Sequence, residues 1–172
     1  MAVIEINRAA QTTEQIRIAK RAPPQIFIAH SSISKNLLAN IERAITAEKV
    51  QIFIANRVRP GAKMADKITQ AIGNSDALFA ILTKNTLKKQ STRDWIFFEV
   101  GLVRGMWKNA VFKTSSQKKI YVWKDVTLKI PNTDPIQIIE EYRSVQLNSK
   151  KSRDTMLAEM KSIARVVSMK NV

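Results

Sequence analysis

Short apolar runs alternate along the chain with segments whose apolar residues recur every three or four positions. The runs are consecutive apolar residues, a pattern typical of strands that are covered on both faces of a sheet. The predicted strands are Gln25–Ala29, Val50–Ile54, Ala77–Leu82, Lys119–Trp123 and a weaker Tyr142–Leu147. The spaced segments are typical of amphipathic helices. The predicted helices are Ser34–Glu48, Met64–Asn74, Thr92–Trp107 and Ser152–Ser168.

Strands and helices follow each other at about the spacing of βαβ units, which favours a parallel sheet with helices on both faces. We therefore predict an α/β fold with a doubly wound parallel sheet of about five strands. If this sheet is flavodoxin-like, its strand order is 2-1-3-4-5. Residues 1–24 are expected to form a basic N-terminal extension that ends at Pro23-Pro24. Residues 25–172 are expected to form the α/β domain.

The composition excludes several kinds of site. The chain has 172 residues, no cysteine and one histidine, which excludes disulfides, thiol nucleophiles and cysteine- or histidine-rich metal sites. No bound metal is expected. No apolar stretch approaches the ~20 residues that span a bilayer, and the N-terminus lacks the layout of a secretory signal. The expected location is the cytoplasm, with no membrane contact.

The net charge of +15 favours polyanionic partners, which are nucleic acid, an anionic membrane or a negatively charged cofactor. The lysines are scattered, however, and no aromatic residues interleave with them as a stacking surface requires. We expect weak and nonspecific binding to nucleic acid. A nucleic-acid-associated basic protein is the alternative that the charge leaves open.

The ends of two predicted strands are candidate ligand contacts. In an open parallel sheet, ligands bind beyond the carboxyl ends of the strands, beside the point where the strand order reverses. For the order 2-1-3-4-5 this point lies between the first and third strands, which are followed by His30-Ser31-Ser32 and Thr83-Lys84-Asn85. Hydroxyls and free amides ahead of a helix suit a phosphate or a ribose hydroxyl. Serines in this position are more often plain helix caps, and Ser34 is predicted to cap the next helix.

Glu99 is the most informative charged residue. On a helix it shares a face with Trp95, Leu102 and Val103. A carboxylate within an apolar and aromatic face is costly unless a partner or a ligand meets it. Glu99 is therefore either a functional residue or a structural one that pairs with a neighbouring arginine.

Four segments carry a resemblance to a known family when they are taken in order. They are IFIAHSS (26–32), RVRPGAKMADKI (57–68), SDALFAILTKN (75–85) and DWIFFEVG (94–101). Together they resemble the Toll/interleukin-receptor (TIR) domain family, of the prokaryotic stand-alone type. The last segment is similar to the Trp-x-x-x-Glu helix of that family. The resemblance covers Gln25 to roughly Val122, and the C-terminal third has only the expected alternation of strand and helix.

The resemblance implies an NAD glycohydrolase or cyclase that releases nicotinamide, with NAD as its substrate and no bound cofactor. It places the catalytic glutamate at Glu99, with Trp95 as the wall behind it. The loop after the first strand and the Pro60-Gly61 loop are then expected to frame the NAD pocket. The expected binding residues are His30, Ser31, Ser32, Arg57, Arg59, Lys63, Thr83 and Trp95.

Immune or anti-phage signalling, self-association through TIR–TIR contacts and a partner effector protein are further expectations from the resemblance. A catalytically silent TIR interaction module stays open as a second alternative, since it keeps the fold but does not cleave NAD.

Overall fold

A computed structural model of the chain describes residues 23–30, 33–55, 64–84, 101, 118–129 and 142–169. The described strands are β1 (Gln25–His30), β2 (Gln51–Ile54), β3 (Ala77–Leu82), β4 (Lys119–Asp125) and β5 (Arg143–Val145). The described helices are α1 (Lys35–Thr46), α2 (Met64–Asn74) and α3 (Lys150–Met169). The predicted N-terminal extension, the Pro60-Gly61 loop and the predicted helix Thr92–Trp107 lie outside the described residues, apart from Pro23, Pro24 and Gly101.

The five strands form one parallel sheet in the order β2-β1-β3-β4-β5. This order confirms the flavodoxin-like prediction. The strand order reverses at β1, which pairs with β2 on one side and with β3 on the other, where Ile28 lies opposite both Ile54 and Phe79. Each strand runs the same way, so all five carboxyl ends meet at one edge of the sheet.

Two apolar layers cover the sheet, one on each face. Alternate residues of the central strands point to opposite faces, as the pleat of a strand requires. On one face, Ile28 and Phe79 pack in a cluster with Ile41 of α1 and Met160 of α3. On the other face, the neighbouring strand positions pack against α2, mainly through Ile68 and Ile72. Because both faces are buried, β1 and β3 need apolar residues at consecutive positions.

Local contacts set the two ends of α1. The helix begins after Ser34, whose Oγ accepts a hydrogen bond from the Leu37 amide at 3.2 Å, as predicted for an N-cap. Beyond its last turn, Glu48 accepts hydrogen bonds from Arg165 at 3.1 and 3.2 Å. This ion pair joins the end of α1 to α3. The next residue, Lys49, has a positive φ of 59° in the turn that leads into β2.

Candidate active site

Polar residues from several strand ends surround one cavity of about 550 Å³ at the carboxyl edge of the sheet. The start of α1, the end of β3, the turn after β4 and the connection from β5 to α3 all contribute to its wall. Leu37 and Leu147 supply apolar wall, while asparagine, threonine and charged side chains supply the rest. The cavity lies on the edge of the sheet where doubly wound folds bind their ligands.

Asp125, the last residue of β4, is the carboxylate in this wall. Its side chain is buried, with 8% of its surface exposed. One carboxylate oxygen accepts hydrogen bonds from the Thr127 amide at 2.8 Å and the Thr127 hydroxyl at 2.5 Å. The other oxygen accepts one from the Leu147 amide at 3.2 Å. Asp125 therefore joins the turn after β4 to the segment after β5.

These contacts determine the charge state of Asp125. Burial raises the pKa of its carboxyl group, but the hydrogen bonds from Thr127 and Leu147 and the positive charge of Lys84 outweigh burial. The net result is a pKa below the ordinary value for aspartate. Asp125 is consequently an anion at neutral pH, and it gives the cavity a fixed negative charge.

Two residues that follow β3 extend the wall. Thr83 is buried, with 5% of its surface exposed, and Lys84 is exposed. Both line the cavity. Because β3 is hydrogen-bonded to both β1 and β4, its end lies between the strand-order reversal and Asp125.

Arg153, in the first turn of α3, supplies a second cation. Its Nη1 donates a hydrogen bond to the carbonyl oxygen of Leu147 at 2.6 Å. Ser149 caps the N-terminus of this helix. Its carbonyl accepts a hydrogen bond from the Arg153 amide at 3.0 Å, and its hydroxyl accepts one from the Ser152 amide at 3.4 Å. The guanidinium is therefore held beside the same segment that donates to Asp125.

A second, smaller cavity of about 340 Å³ lies beside β5 and α3. Two of its charged groups, Arg143 and Glu159, pair with each other, and the exposed Lys151 also lines it. Glu159 accepts hydrogen bonds from the indole of Trp123 at 3.0 Å and from the guanidinium of Arg143, with which it forms an ion pair. Arg143 also lies over the Tyr121 ring, 5.1 Å from its centroid. This arrangement ties β4, β5 and α3 together and has the character of a structural network.

Comparison with known families identifies the domain. A family model described as the TIR domain matches residues 26–157. The chain belongs to the TIR domain family. Among solved structures, this TIR domain is similar to a 2-desoxiribosyltransferase from Leishmania mexicana, with 20% sequence identity and a TM-score of 0.42. That match covers 59% of this chain and 65% of the other protein. Comparison with curated proteins finds no match.

The structure places two of the predicted site residues of the TIR domain. Thr83 lines the cavity. His30 ends β1 opposite Ile81 of β3, where it is half-buried, and it is not among the residues that line this cavity. The other predicted site residues lie outside the described part of the chain: Glu99, Ser31, Ser32, Arg57, Arg59, Lys63 and Trp95. Their roles, and the binding roles of His30 and Thr83, stay predictions.

Sequence reasoning missed Asp125, Thr127 and Arg153 as cavity residues. The predicted fourth strand ended at Trp123, whereas β4 continues to Asp125. The sequence did contain a sign of Asp125 and Thr127. Polar residues that closely follow a buried strand of a parallel sheet belong to the edge where ligands bind. No such sequence feature marked Arg153, because it reaches the cavity wall only through the packing of α3.

Two features are absent from the described residues. In the ranges that the structure describes, no helix is both long enough and apolar enough to cross a bilayer. The same ranges hold no group of three or more histidine, cysteine or acidic side chains arranged to bind a metal.

Proposed function

We propose that this TIR domain cleaves NAD at the bond between nicotinamide and ribose, releasing nicotinamide with ADP-ribose or a cyclic product. The observation that supports this most is the cavity of about 550 Å³ at the carboxyl ends of β3 and β4. Its volume falls in the range of small-molecule sites, and its wall combines apolar side chains with a few polar and charged ones. Family membership and the Trp-x-x-x-Glu motif of residues 95–99 supply the expected chemistry.

Glu99 is the proposed catalytic residue. When the bond from ribose C1 to the nicotinamide nitrogen breaks, the electron pair leaves with nicotinamide and the ribose becomes an oxocarbenium-like cation. A carboxylate below the ribose stabilises this cation and accepts hydrogen bonds from its hydroxyls. Water then adds to the ribose carbon and loses a proton, which gives ADP-ribose. Attack by another atom of the same nucleotide gives a cyclic product instead.

The remaining proposed contacts bind the rest of the substrate. Trp95 forms the wall behind Glu99, one helical turn away. Arg57, Arg59 and Lys63 are cations of the Pro60-Gly61 loop and face the anionic substrate. Hydrogen-bonding contacts to ribose or phosphate are proposed for His30, Ser31, Ser32 and Thr83. NAD is the substrate in this proposal, and no bound cofactor is needed.

The proposed setting is immune or anti-phage signalling. TIR domains act through contacts with each other, so we include self-association through the Pro60-Gly61 loop and a separate effector protein as partner. In this proposal the net charge of +15 serves no specific binding function. Its expected consequence is weak, salt-sensitive and nonspecific binding to nucleic acid.

Release of free nicotinamide from NAD by concentrated purified protein tests the proposal. We expect Glu99→Gln to abolish release, because the swap preserves shape and removes the charge that stabilises the ribosyl cation. Glu42→Gln is the matched control: the same chemical change on α1, at a residue outside the cavity wall.

Activity of Glu99→Gln within a few-fold of the unmodified protein would show that Glu99 is not the catalytic residue. A protein that releases no nicotinamide at any concentration would instead be an interaction module.

A further inference from the structure

Two cationic side chains line the cavity from different parts of the chain. Lys84 directly follows β3, and Arg153 belongs to the first turn of α3. The end of β4, with Asp125, lies between β3 and β5 in the sheet. The fold therefore brings two positive charges to the wall of a single cavity. Lys84 follows a predicted strand and was a candidate from the sequence, whereas Arg153 was not.

Both cations retain unused hydrogen-bonding capacity within the described residues. Arg153 makes one side-chain hydrogen bond there, to the Leu147 carbonyl at 2.6 Å, out of the five N–H donors of a guanidinium. Lys84 makes no hydrogen bond or ion pair with any described residue, and its electrostatic effect there is on Asp125. A guanidinium that is anchored by one donor has its other donors oriented in a fixed plane, which suits bidentate binding of phosphate oxygens.

Asp125 restricts where an anion can lie. Its carboxylate is held in place by hydrogen bonds from Thr127 and Leu147. A phosphate placed directly against it would be repelled, so an anionic group would be bound through Lys84 and Arg153 and not against Asp125. The carboxylate itself suits a neutral hydroxyl donor, such as that of a ribose. Asn36 and Asn148 add amide groups that both donate and accept.

The smaller cavity is lined by two cations, Arg143 and the exposed Lys151, but Arg143 is already paired, so it offers one available cation where the larger cavity offers two. Its arginine, Arg143, is ion-paired with Glu159 and packed over the Tyr121 ring. An incoming phosphate would have to compete with that carboxylate. This comparison favours the larger cavity as the anion site.

We propose that Lys84 and Arg153 bind the diphosphate of the dinucleotide substrate, with Asp125 facing a ribose hydroxyl. This assignment rests on the proposed NAD-cleaving function. It adds two contacts to those expected from the Pro60-Gly61 loop. The bound chemical class is a ribose-linked diphosphate, so the reaction product ADP-ribose is a sufficient probe.

Calorimetric titration of the full chain with ADP-ribose tests the assignment without catalysis. We expect Lys84→Gln and Arg153→Gln each to weaken binding by about tenfold or more, the usual cost of losing a charge-assisted hydrogen bond. Lys67→Gln is the matched control, because Lys67 is an exposed lysine of α2 outside the cavity wall. It should bind ADP-ribose like the unmodified protein. Adenosine, which has no phosphate, should bind equally to all variants.

Arg153→Lys separates a binding role from a structural one. It preserves the charge and removes the planar fork, so its affinity for ADP-ribose should lie between those of the unmodified protein and Arg153→Gln. Thermal unfolding of each variant shows whether α3 remains folded. If Arg153→Gln does not fold, the ADP-ribose affinity of Lys84→Gln decides whether the diphosphate assignment stands.

The two proposals fail in different ways. Unchanged ADP-ribose affinity in folded Lys84→Gln and Arg153→Gln overturns the diphosphate assignment, even if the protein cleaves NAD. A lack of ADP-ribose binding by the unmodified protein also overturns it. Weakened binding in these variants, in a protein that releases no nicotinamide, supports the assignment and refutes the enzymatic function.

Discussion

Asp125 and Thr127 are the two ends of a three-residue turn in which one carboxylate oxygen accepts from both the amide and the hydroxyl of the threonine, at 2.8 and 2.5 Å. Side-chain hydrogen bonds of this type replace backbone bonds where a strand ends. The second carboxylate oxygen accepts from the Leu147 amide and so reaches the segment after β5. The wall of the cavity therefore depends on one ionised side chain.

We expect Asp125→Asn to destabilise the protein by about 1–3 kcal/mol, the cost of a lost partner for a buried polar group. An asparagine oxygen can still accept from Thr127. Its amide nitrogen, however, cannot accept from the Leu147 amide. Chemical unfolding at neutral pH measures the change. Asp154→Asn is the control, because Asp154 is exposed on α3 and its ion-pair partner among the described residues is Lys150. This control should change stability little.

The same carboxylate predicts a pH dependence. The pKa of Asp125 is lower in the folded state than in an unfolded chain, because its hydrogen bonds and Lys84 outweigh burial. Its contribution to the free energy of unfolding is complete above the unfolded-state pKa, about 3.9, and is lost as the pH falls through the lower folded-state value. Unfolding measured from neutral to acid pH should show a smaller acid-dependent loss in Asp125→Asn than in the unmodified protein. An identical loss in both would contradict this role.

Lys49→Gly is expected to stabilise the protein by about 0.5–1 kcal/mol, since glycine adopts positive φ without the steric cost that a side chain incurs. Lys49 has a φ of 59° in the turn between α1 and β2. Thermal unfolding measures the gain as a higher Tm. Lys49→Ala keeps a Cβ in the same conformation and should show no gain. Equal stabilisation by alanine would mean that the lysine side chain, not the backbone angle, is unfavourable.

Nicotinamide release per protomer is expected to increase with protein concentration, because we propose that contacts through the Pro60-Gly61 loop complete the NAD pocket. Activity measured over a wide dilution series, with sedimentation velocity on the same samples, tests this. Gly61→Val should lower activity without lowering the Tm. Constant activity per protomer at all dilutions would contradict the role of self-association.

The strand and helix pattern was predictable because burial on both faces leaves a direct mark on the sequence. Ala77–Leu82 was predicted to its end residues, since all six positions are buried and apolar. The helix Met64–Asn74 was predicted equally well, because Ile68 and Ile72 repeat at helical spacing and both pack against the sheet. The family resemblance added the strand order to this pattern and is confirmed by the family match.

The ends of elements at the cavity were less predictable. β4 continues two residues beyond Trp123 because its backbone stays paired, Lys124 with Leu82 and Asp125 with Val145, whatever the polarity of the side chains. β5 is shorter than predicted, at three residues, because it pairs only with β4 at the edge of the described sheet. Polarity alone does not show where such pairing stops.

The sequence by itself determined the fold class, the family and the edge of the sheet that carries the cavity, because each depends on local periodicity or on residues close together in the chain. Only the tertiary structure decided which charges share the cavity. Lys84 follows β3, Asp125 ends β4 and Arg153 lies in α3, so they are far apart in the sequence. Asp125 and Arg153 look like ordinary surface charges there. They meet because parallel strands deliver their carboxyl ends to one edge, and because the Asp125 carboxylate and the Arg153 guanidinium both hydrogen-bond to the backbone of Leu147.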